Sequence, residues 1–484
     1  MCVCHIECAI MLNNEKKTAF FDEEVPEKVY LELISKQYDF FEAIETLDKL
    51  NWDFKPFMTQ YLTHKFHSYP ARFIPQIPLT FIKLFTKEND TIVDPFCGCG
   101  TTLVEAFLNY RHSIGNDFNP LAALISKVKT TLIDKNDFEY LNKKIVSIEN
   151  EIDPDNSKID EKLRNLPNRK ISKIFDKKTI TILETIREIL LEIKKDGYSN
   201  LYDLGRVAFS STIWSLVEHG MIDIKDSFLK KVTNMENELQ KMASIVKRVP
   251  DVKILNSDAR KLSVKSESID LVITSPPYVN ALDYYRVHMY NMYWLDMDFD
   301  EFKRHEIGAH SRFIDNRFRL LSEYLGDMLR SMIEMNRLLK QNKLCVIIVG
   351  NSSLEYELIE NYKFLAEMSK DIGFKPIKTI FRNIDTTKKY SSAKIGKIDN
   401  EYILLLQKIK NTDFFSEEED FIAEIVTQEM LQFKEQIKNF QGTSIRGRKP
   451  TKERLLKNVD KINEAIETIS QDTKWTWNYS FKPV

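Results

Sequence analysis

Glycine is scarce here, 13 residues in 484, so two of them placed so close together at Gly98 and Gly100 are not filler. No apolar run approaches the length needed to cross a bilayer, which excludes a transmembrane helix and any membrane partner from the expected picture. A charge excess is also missing. Lys and Arg number 70 against 72 Asp and Glu, a net charge of −2, so the surface is not uniformly basic and nucleic-acid contacts must come from local clusters. No basic segment precedes the short apolar stretch near the N-terminus, so no secretory signal is expected and the chain reads as cytoplasmic. Cysteines number six. Cys2, Cys4 and Cys8 flank His5 at a spacing that matches no strong zinc template, and translation is expected to begin at Met11. Cys97, Cys99 and Cys345 read as reduced thiols, and no metal is expected. What remains, 43% hydrophobic and 29% charged, is the composition of a soluble globular protein of two to three domains.

Two strings carry chemistry. Asp94-Pro95-Phe96-Cys97-Gly98-Cys99-Gly100-Thr101-Thr102 sits between the short apolar strand Thr91–Val93 and a helix beginning near Leu103. A Gly-x-Gly turn there lets backbone approach a ligand closely and exposes amide groups at the helix start. A second strand, His112–Asn116, ends at Asp117-Phe118-Asn119-Pro120. An acidic residue roughly 20 positions after a glycine turn can accept hydrogen bonds from ribose hydroxyls. A third strand, Val252–Leu255, again runs to an acid, Asp258.

The other string, Thr274-Ser275-Pro276-Pro277-Tyr278, directly follows the apolar strand Ile269–Ile273. Consecutive prolines can neither donate to a ladder nor continue a helix, so they impose a stiff turn at the strand's end. That turn presents the Ser275 hydroxyl, prolyl carbonyls and an aromatic ring, a set suited to gripping a planar base by its exocyclic amine.

Together these strings resemble the cofactor and catalytic motifs of S-adenosylmethionine-dependent amino methyltransferases acting on DNA. The resemblance covers about residues 64–130 and 250–408. It implies an α/β Rossmann-like methyltransferase fold with a seven-stranded mixed sheet, S-adenosyl-L-methionine as cofactor and double-stranded DNA as partner. By the resemblance, Asp94, Phe96, Gly98 and Gly100 surround the methionine part of the cofactor, Asp117 binds ribose, Phe118 packs on adenine and Asp258 meets the adenine amino group. Arg72, in His67-Ser68-Tyr69-Pro70-Ala71-Arg72-Phe73, falls in a further cofactor motif. Ser275, Pro276, Pro277 and Tyr278 form the catalytic turn: Ser275 and a backbone carbonyl accept the amine hydrogens, and Tyr278 stacks on a flipped base. Cys97 and Cys99 lie in the cofactor loop and are not read as C5-cytosine nucleophiles.

Ser at position 275 resembles the cytosine-N4 group, with adenine N6 as the second choice of target. RNA guanine-N2 methylation and a non-catalytic nucleic-acid-binding subunit stay open beside these. A restriction–modification or phage-defence setting is expected, with a cognate endonuclease or defence subunit as partner. No endonuclease signature is evident in the chain itself.

Along the chain, residues 1–63 read as an N-terminal helical extension and 64–130 as the cofactor half of the core. Residues 131–249 form a helical insertion broken by a polar loop at 153–157, either packed on the core or serving as a DNA-recognition subdomain. Residues 250–410 make the catalytic half, with Leu344–Gly350 as a further strand and Phe374–Ile380 and Glu401–Leu406 as an antiparallel edge. The aromatic run from Tyr284 to Trp294 reads as core or base-pocket lining, and Lys303-Arg304-His305 and His310-Ser311-Arg312 as phosphate contacts. A charged helical tail occupies 411–484. Its Arg446-Gly447-Arg448-Lys449-Pro450 reads as a solvated linker rather than a minor-groove hook.

Overall fold

The computed structural model describes residues 26–55, 57–146, 175–220, 222–309, 313–384, 400–414, 417–439 and 451–471. The N-terminal cysteines with His5 and Met11, the 153–157 loop, His310-Ser311-Arg312 and the 446–450 run lie outside these residues. The chain divides into two compact units, 1–256 with 285–304 and 257–284 with 305–484.

In the first unit, β1 (Thr91–Asp94), β2 (His112–Asn116) and β3 (Val252–Leu255) run parallel in the order β3-β2-β1. Asp94 sits opposite Gly115, and Asn116 opposite Leu255, so the strands end nearly level. The helix Thr101–Leu108 follows β1 with every residue buried. The helix Pro120–Lys129 follows β2, started by Asn119, whose side chain accepts from the Leu121 amide, with Pro120 in the first turn where its missing N–H costs nothing. Helices Lys135–Val146, Lys177–Lys195, Ser199–His219 and Ile224–Ile245 occupy the stretch before β3. The middle two approach closely at Gly205, where a β-carbon would lie 2.3 Å from a Leu190 methyl. The aromatic run forms the helix Tyr284–Trp294, and its Trp294 is fully buried against Phe175 and Phe209, with ring centroids 6.1 and 6.3 Å away.

In the second unit, β4 (Ile269–Thr274) runs parallel to β5 (Leu339–Val349). A two-stranded hairpin, β6 (Ser352–Leu354) and β7 (Glu357–Ile359), follows β5 and has no counterpart in the sequence reading. Next come the helix Asn361–Asp371, β8 (Phe374–Asn383) and β9 (Asn400–Lys408). β9 pairs antiparallel with both β5 and β8, giving the order β4-β5-β9-β8 and the antiparallel edge expected from the sequence. β5 begins at Leu339, ahead of its apolar run, because the helix Arg317–Leu338 feeds straight into it. Helices Glu418–Lys438 and Lys452–Gln471 complete this unit, within the stretch read as a charged helical tail. The three strands of one unit and four of the other make up a seven-stranded mixed sheet with helices, the α/β class implied by the motifs. Among the described residues no helix is long and apolar enough to cross a membrane.

Deleting the Trp294 side chain leaves a large cavity in the first unit. Trp294→Ala is expected to lower stability to denaturant by about 3–5 kcal/mol, the range for a buried Trp or Phe truncation. Phe41→Ala, at a ring 77% exposed, is expected to stay within about 0.5 kcal/mol in the same urea titration.

Candidate active site

In the first unit the loop after β1 is tied down on both sides. Asp94, fully buried, accepts from the Thr102 hydroxyl at 2.7 Å and from the Phe96 amide at 3.2 Å. The Cys97 amide donates to the Asn116 carbonyl at 2.8 Å, and Asn116 Nδ2 donates to the Pro95 carbonyl at 3.0 Å. Asp117, at the end of β2, accepts from the Gly98 amide at 2.8 Å and from the Asn119 amide at 2.9 Å. Gly98 and Gly100 both have positive φ, +49° and +78°, where any side chain is strained. A β-carbon at Gly100 would also meet Ser126 Oγ at 2.8 Å, and Ser126 itself donates to the Gly98 carbonyl at 2.8 Å.

The sequence reading missed two residues here. Ser126 is one. The other is Asn256, whose Nδ2 donates to the carbonyls of Asp117 and Phe118 at 2.7 and 3.0 Å and so fixes the half-buried Phe118. Asp117, Phe96, Gly98, Gly100 and Asp94 are thus brought together, whereas Arg72 donates to the His64 carbonyl at 2.6 Å and reaches the loop through its charge acting on Cys99. Tyr69, two residues on from His67, stacks on His288 with centroids 4.8 Å apart, and its ring would touch a β-carbon at Gly98 at 3.4 Å. Burial pushes the Asp117 carboxyl up to about 6, against the two amide hydrogen bonds that favour its charge.

The second unit holds the remaining candidates. Ser275 is half-buried at the end of β4, and its Oγ lies 3.4 Å from the Tyr278 hydroxyl. Tyr278 is buried and donates to Glu401 Oε1 at 3.3 Å. Burial, with the Glu401 charge adding to it, holds the phenol well above its ordinary value, so it keeps its proton. The turn is braced further on. The Asn280 amide donates to the Gly308 carbonyl at 3.0 Å, and Asn280 Nδ2 to the Ser353 carbonyl at 2.9 Å. Asp258 is buried with its carboxylate gripped by Arg260, whose Nε donates to both its oxygens at 2.9 and 3.0 Å while Nη1 reaches Asp327 at 2.6 Å. Tyr290 and Trp294, read as core or base-pocket lining, are buried in the aromatic core of the first unit beside Phe175.

A family model for DNA methylases matches residues 5–127 and 269–480. The chain is 28% identical over 282 residues to the Type II methyltransferase M.MvaI of Kocuria varians, matching 50% of this chain and 60% of that protein. It is 24% identical over 388 residues to the Type II methyltransferase M.BsoBI of Geobacillus stearothermophilus, 72% of this chain and 74% of that one. The chain therefore spans less than two thirds of the length of the first relative. A Thermus thermophilus protein solved with S-adenosyl-L-methionine aligns over 37% of this chain and 61% of its own, at 20% identity and a TM-score of 0.21.

Beneath the glycine loop lies a cluster that the motifs do not mention. Glu105 is fully buried on the helix Thr101–Leu108, and its Oε1 accepts from the Tyr61 hydroxyl at 2.6 Å and lies 2.7 Å from His64 Nε2. Burial lifts the Glu105 carboxyl to about 8, against the Tyr61 hydrogen bond, and burial also holds His64 well below the usual imidazole range. Buried Lys129 is pushed down to about 8 by burial. A carboxyl whose folded value is raised takes up a proton on folding between its unfolded value, 4.5, and about 8. Stability is therefore lost as pH rises through that window. Thermal unfolding is expected to show Glu105→Gln, which cannot ionise, gaining stability relative to the native chain as pH rises through this window; the comparison is needed because the depressed His64 and His67 give the native chain an opposite slope below about 6.5.

Proposed function

The chain belongs to the DNA methylase family, and on that premise we propose that it transfers a methyl group from S-adenosylmethionine to an exocyclic amine of a flipped base in double-stranded DNA, cytosine N4 in preference to adenine N6. The observation that carries this reading is the rigid Ser275-Pro276-Pro277-Tyr278 turn at the end of β4, which presents hydrogen-bond acceptors and no amide donor at two successive positions. An exocyclic amine offers two N–H donors and a lone pair withdrawn into its ring. Ser275 Oγ and a carbonyl of the turn accept those hydrogens, which draws the nitrogen toward pyramidal geometry and returns the lone pair to it. Tyr278 supplies the aromatic face at the turn, and no strong base or covalent nucleophile is required.

The residues of the first unit fit the cofactor. Gly98 and Gly100 make a cradle that a β-carbon would strain, and at Gly100 would also fill. Asp117 spends one lone pair of each oxygen on an amide, leaving the others to accept ribose hydroxyls. Phe118, held by Asn256, packs on the adenine ring, and Asp94 and Phe96 line the methionine end. Arg72 is assigned to the same pocket. In the second unit, Asp258 has the lone pairs that Arg260 leaves free, and the family resemblance gives it an adenine amino group as partner. S-adenosylmethionine, when bound, supplies an electrophilic methyl on a sulfonium. A restriction–modification setting in the cytoplasm, with a cognate endonuclease as partner, belongs to the same proposal; the similar proteins M.MvaI and M.BsoBI are Type II methyltransferases.

Labelled methyl transfer to duplex DNA and to RNA, followed by nucleoside mass spectrometry, tests the reading. N4-methylcytosine in DNA is the expected product, and Ser275→Ala is expected to lower turnover by about 100-fold, the scale of one transition-state hydrogen bond, while still binding cofactor. Label in RNA alone would overturn the choice of substrate. Cofactor affinity by calorimetry is expected to fall as pH drops through about 6, where Asp117 takes up a proton. Asp117→Asn is expected to bind about tenfold more weakly at neutral pH, from a lost charged acceptor, and without that pH dependence.

A further inference from the structure

Serine is an awkward acceptor. Its oxygen has two lone pairs but carries a hydrogen of its own, and a hydrogen turned toward the substrate amine would oppose the N–H groups it is meant to receive. The second unit disposes of that hydrogen through a chain of partners. Ser275 Oγ is 3.4 Å from the Tyr278 oxygen, and the single phenolic hydrogen is committed onward to Glu401 Oε1 at 3.3 Å. Glu401 Oε2 is in turn held by Arg382 Nη1 at 2.7 Å. Glu401 and Arg382 are cross-strand partners of β9 and β8, both buried. The strand directions bring them here. β4 and β5 run parallel with Thr274 opposite Ile347, and β9 runs back along β5 with Tyr402 opposite Val349, so Glu401 enters the sheet at the edge where β4 ends.

A buried carboxylate can only accept, so the direction of every bond in the chain is fixed from its far end. We infer that Glu401, anchored by Arg382, is a positioning residue that holds the Tyr278 hydroxyl as acceptor for Ser275 and thereby leaves the Ser275 lone pairs turned to the substrate amine. This rests on the methyltransferase reading of the Ser275 turn. It gives Tyr278 a second duty besides stacking and assigns one to a buried charged pair on the antiparallel edge. An ion pair with no such duty would be an expensive choice at a buried position, since apolar residues of similar volume are often as stable or more so.

Two measurements on the full chain test it. With 3-fluorotyrosine placed at position 278, Glu401→Gln is expected to move the fluorine resonance, because the phenol exchanges a charged acceptor for a neutral amide. An unmoved resonance would overturn the inference, and this readout does not depend on finding the substrate. In methyl transfer, Glu401→Gln is expected to lower kcat by about tenfold, the scale of one hydrogen bond, with the KM for S-adenosylmethionine unchanged. In a Tyr278→Phe background, where the chain is already cut, the same substitution is expected to have no further effect. Full additivity of the two losses would show that Glu401 serves only the packing of β8 and β9, and would overturn the assignment. If the native chain methylates neither DNA nor RNA, the proposed function fails, whereas the fluorine result still decides whether Glu401 governs Tyr278.

Discussion

The hydrogen bond from the Gly98 amide to the Asp117 carboxylate holds the first unit's candidate site together. Parallel strands cannot be joined by a short hairpin, so the loops at their ends must be fixed to one another by other means. Here one strand end reaches across to the next three times. Cys97 donates to the Asn116 carbonyl, Asn116 donates to the Pro95 carbonyl, and Asp117 accepts from Gly98. Asn256 repeats the device from β3 onto β2. The cost of this arrangement is a carboxylate pulled out of water, visible in its value of about 6. It stays largely ionised at neutral pH because two amides point at it. Without them burial alone would favour the neutral acid, which accepts less well.

The two loops solve opposite problems with opposite backbone chemistry. The loop after β1 keeps its amide donors and uses those of Phe96, Cys97, Gly98 and Gly100 to fix its own path, with glycine permitting the left-handed turns at Gly98 and Gly100. The turn after β4 is stripped of donors, because Pro276 and Pro277 have none. A donor-rich loop suits carboxylate and hydroxyl partners, whereas an acceptor-rich turn suits an amine. That difference is written in residue type alone, which is why both strings can be understood before any coordinates. The groups beneath the first loop follow a related rule. Burial pushes Glu105, His64 and His67 each toward its neutral form, and Lys129, pushed down to about 8, is the buried cation beside them.

The strands, the glycine turn, the proline turn and the antiparallel edge were legible because each is a local pattern of apolar runs and backbone breakers. Asp117 and Asp94 were legible by their place at strand ends. Ser126, Asn256, Glu401 and Gly308 were not, because each acts through a partner set by sheet register or by helix packing. Gly308 shows the difficulty: a β-carbon there would lie 3.3 Å from Val279 Cα and 3.1 Å from the Tyr324 ring, a crowding between residues far apart along the chain. Asp258 is the reverse case. Its partner Arg260 stands only two residues on, a local pairing that the sequence shows and the strand-then-acid pattern overlooked. The aromatic helix divides differently, since helical spacing alone does not say which rings face the core. Trp294 and Tyr290 do, among Phe175 and Phe209.

The presence of serine rather than a carboxylate at position 275 makes the surrounding polar chain intelligible. An aspartate there would arrive with acceptors only and would need no partner to take up a hydrogen. It would also stand beside the Tyr278 hydroxyl, now 3.4 Å from Ser275, and compete with Glu401 for the one phenolic hydrogen. Serine removes that competition and creates a different need, an outlet for its own hydrogen. The Tyr278 oxygen is that outlet only while its own hydrogen is engaged elsewhere, and the buried Glu401–Arg382 pair ensures that it is. The residue that defines the turn and the pair on the distant edge strands are therefore two parts of one requirement, joined through a single phenol.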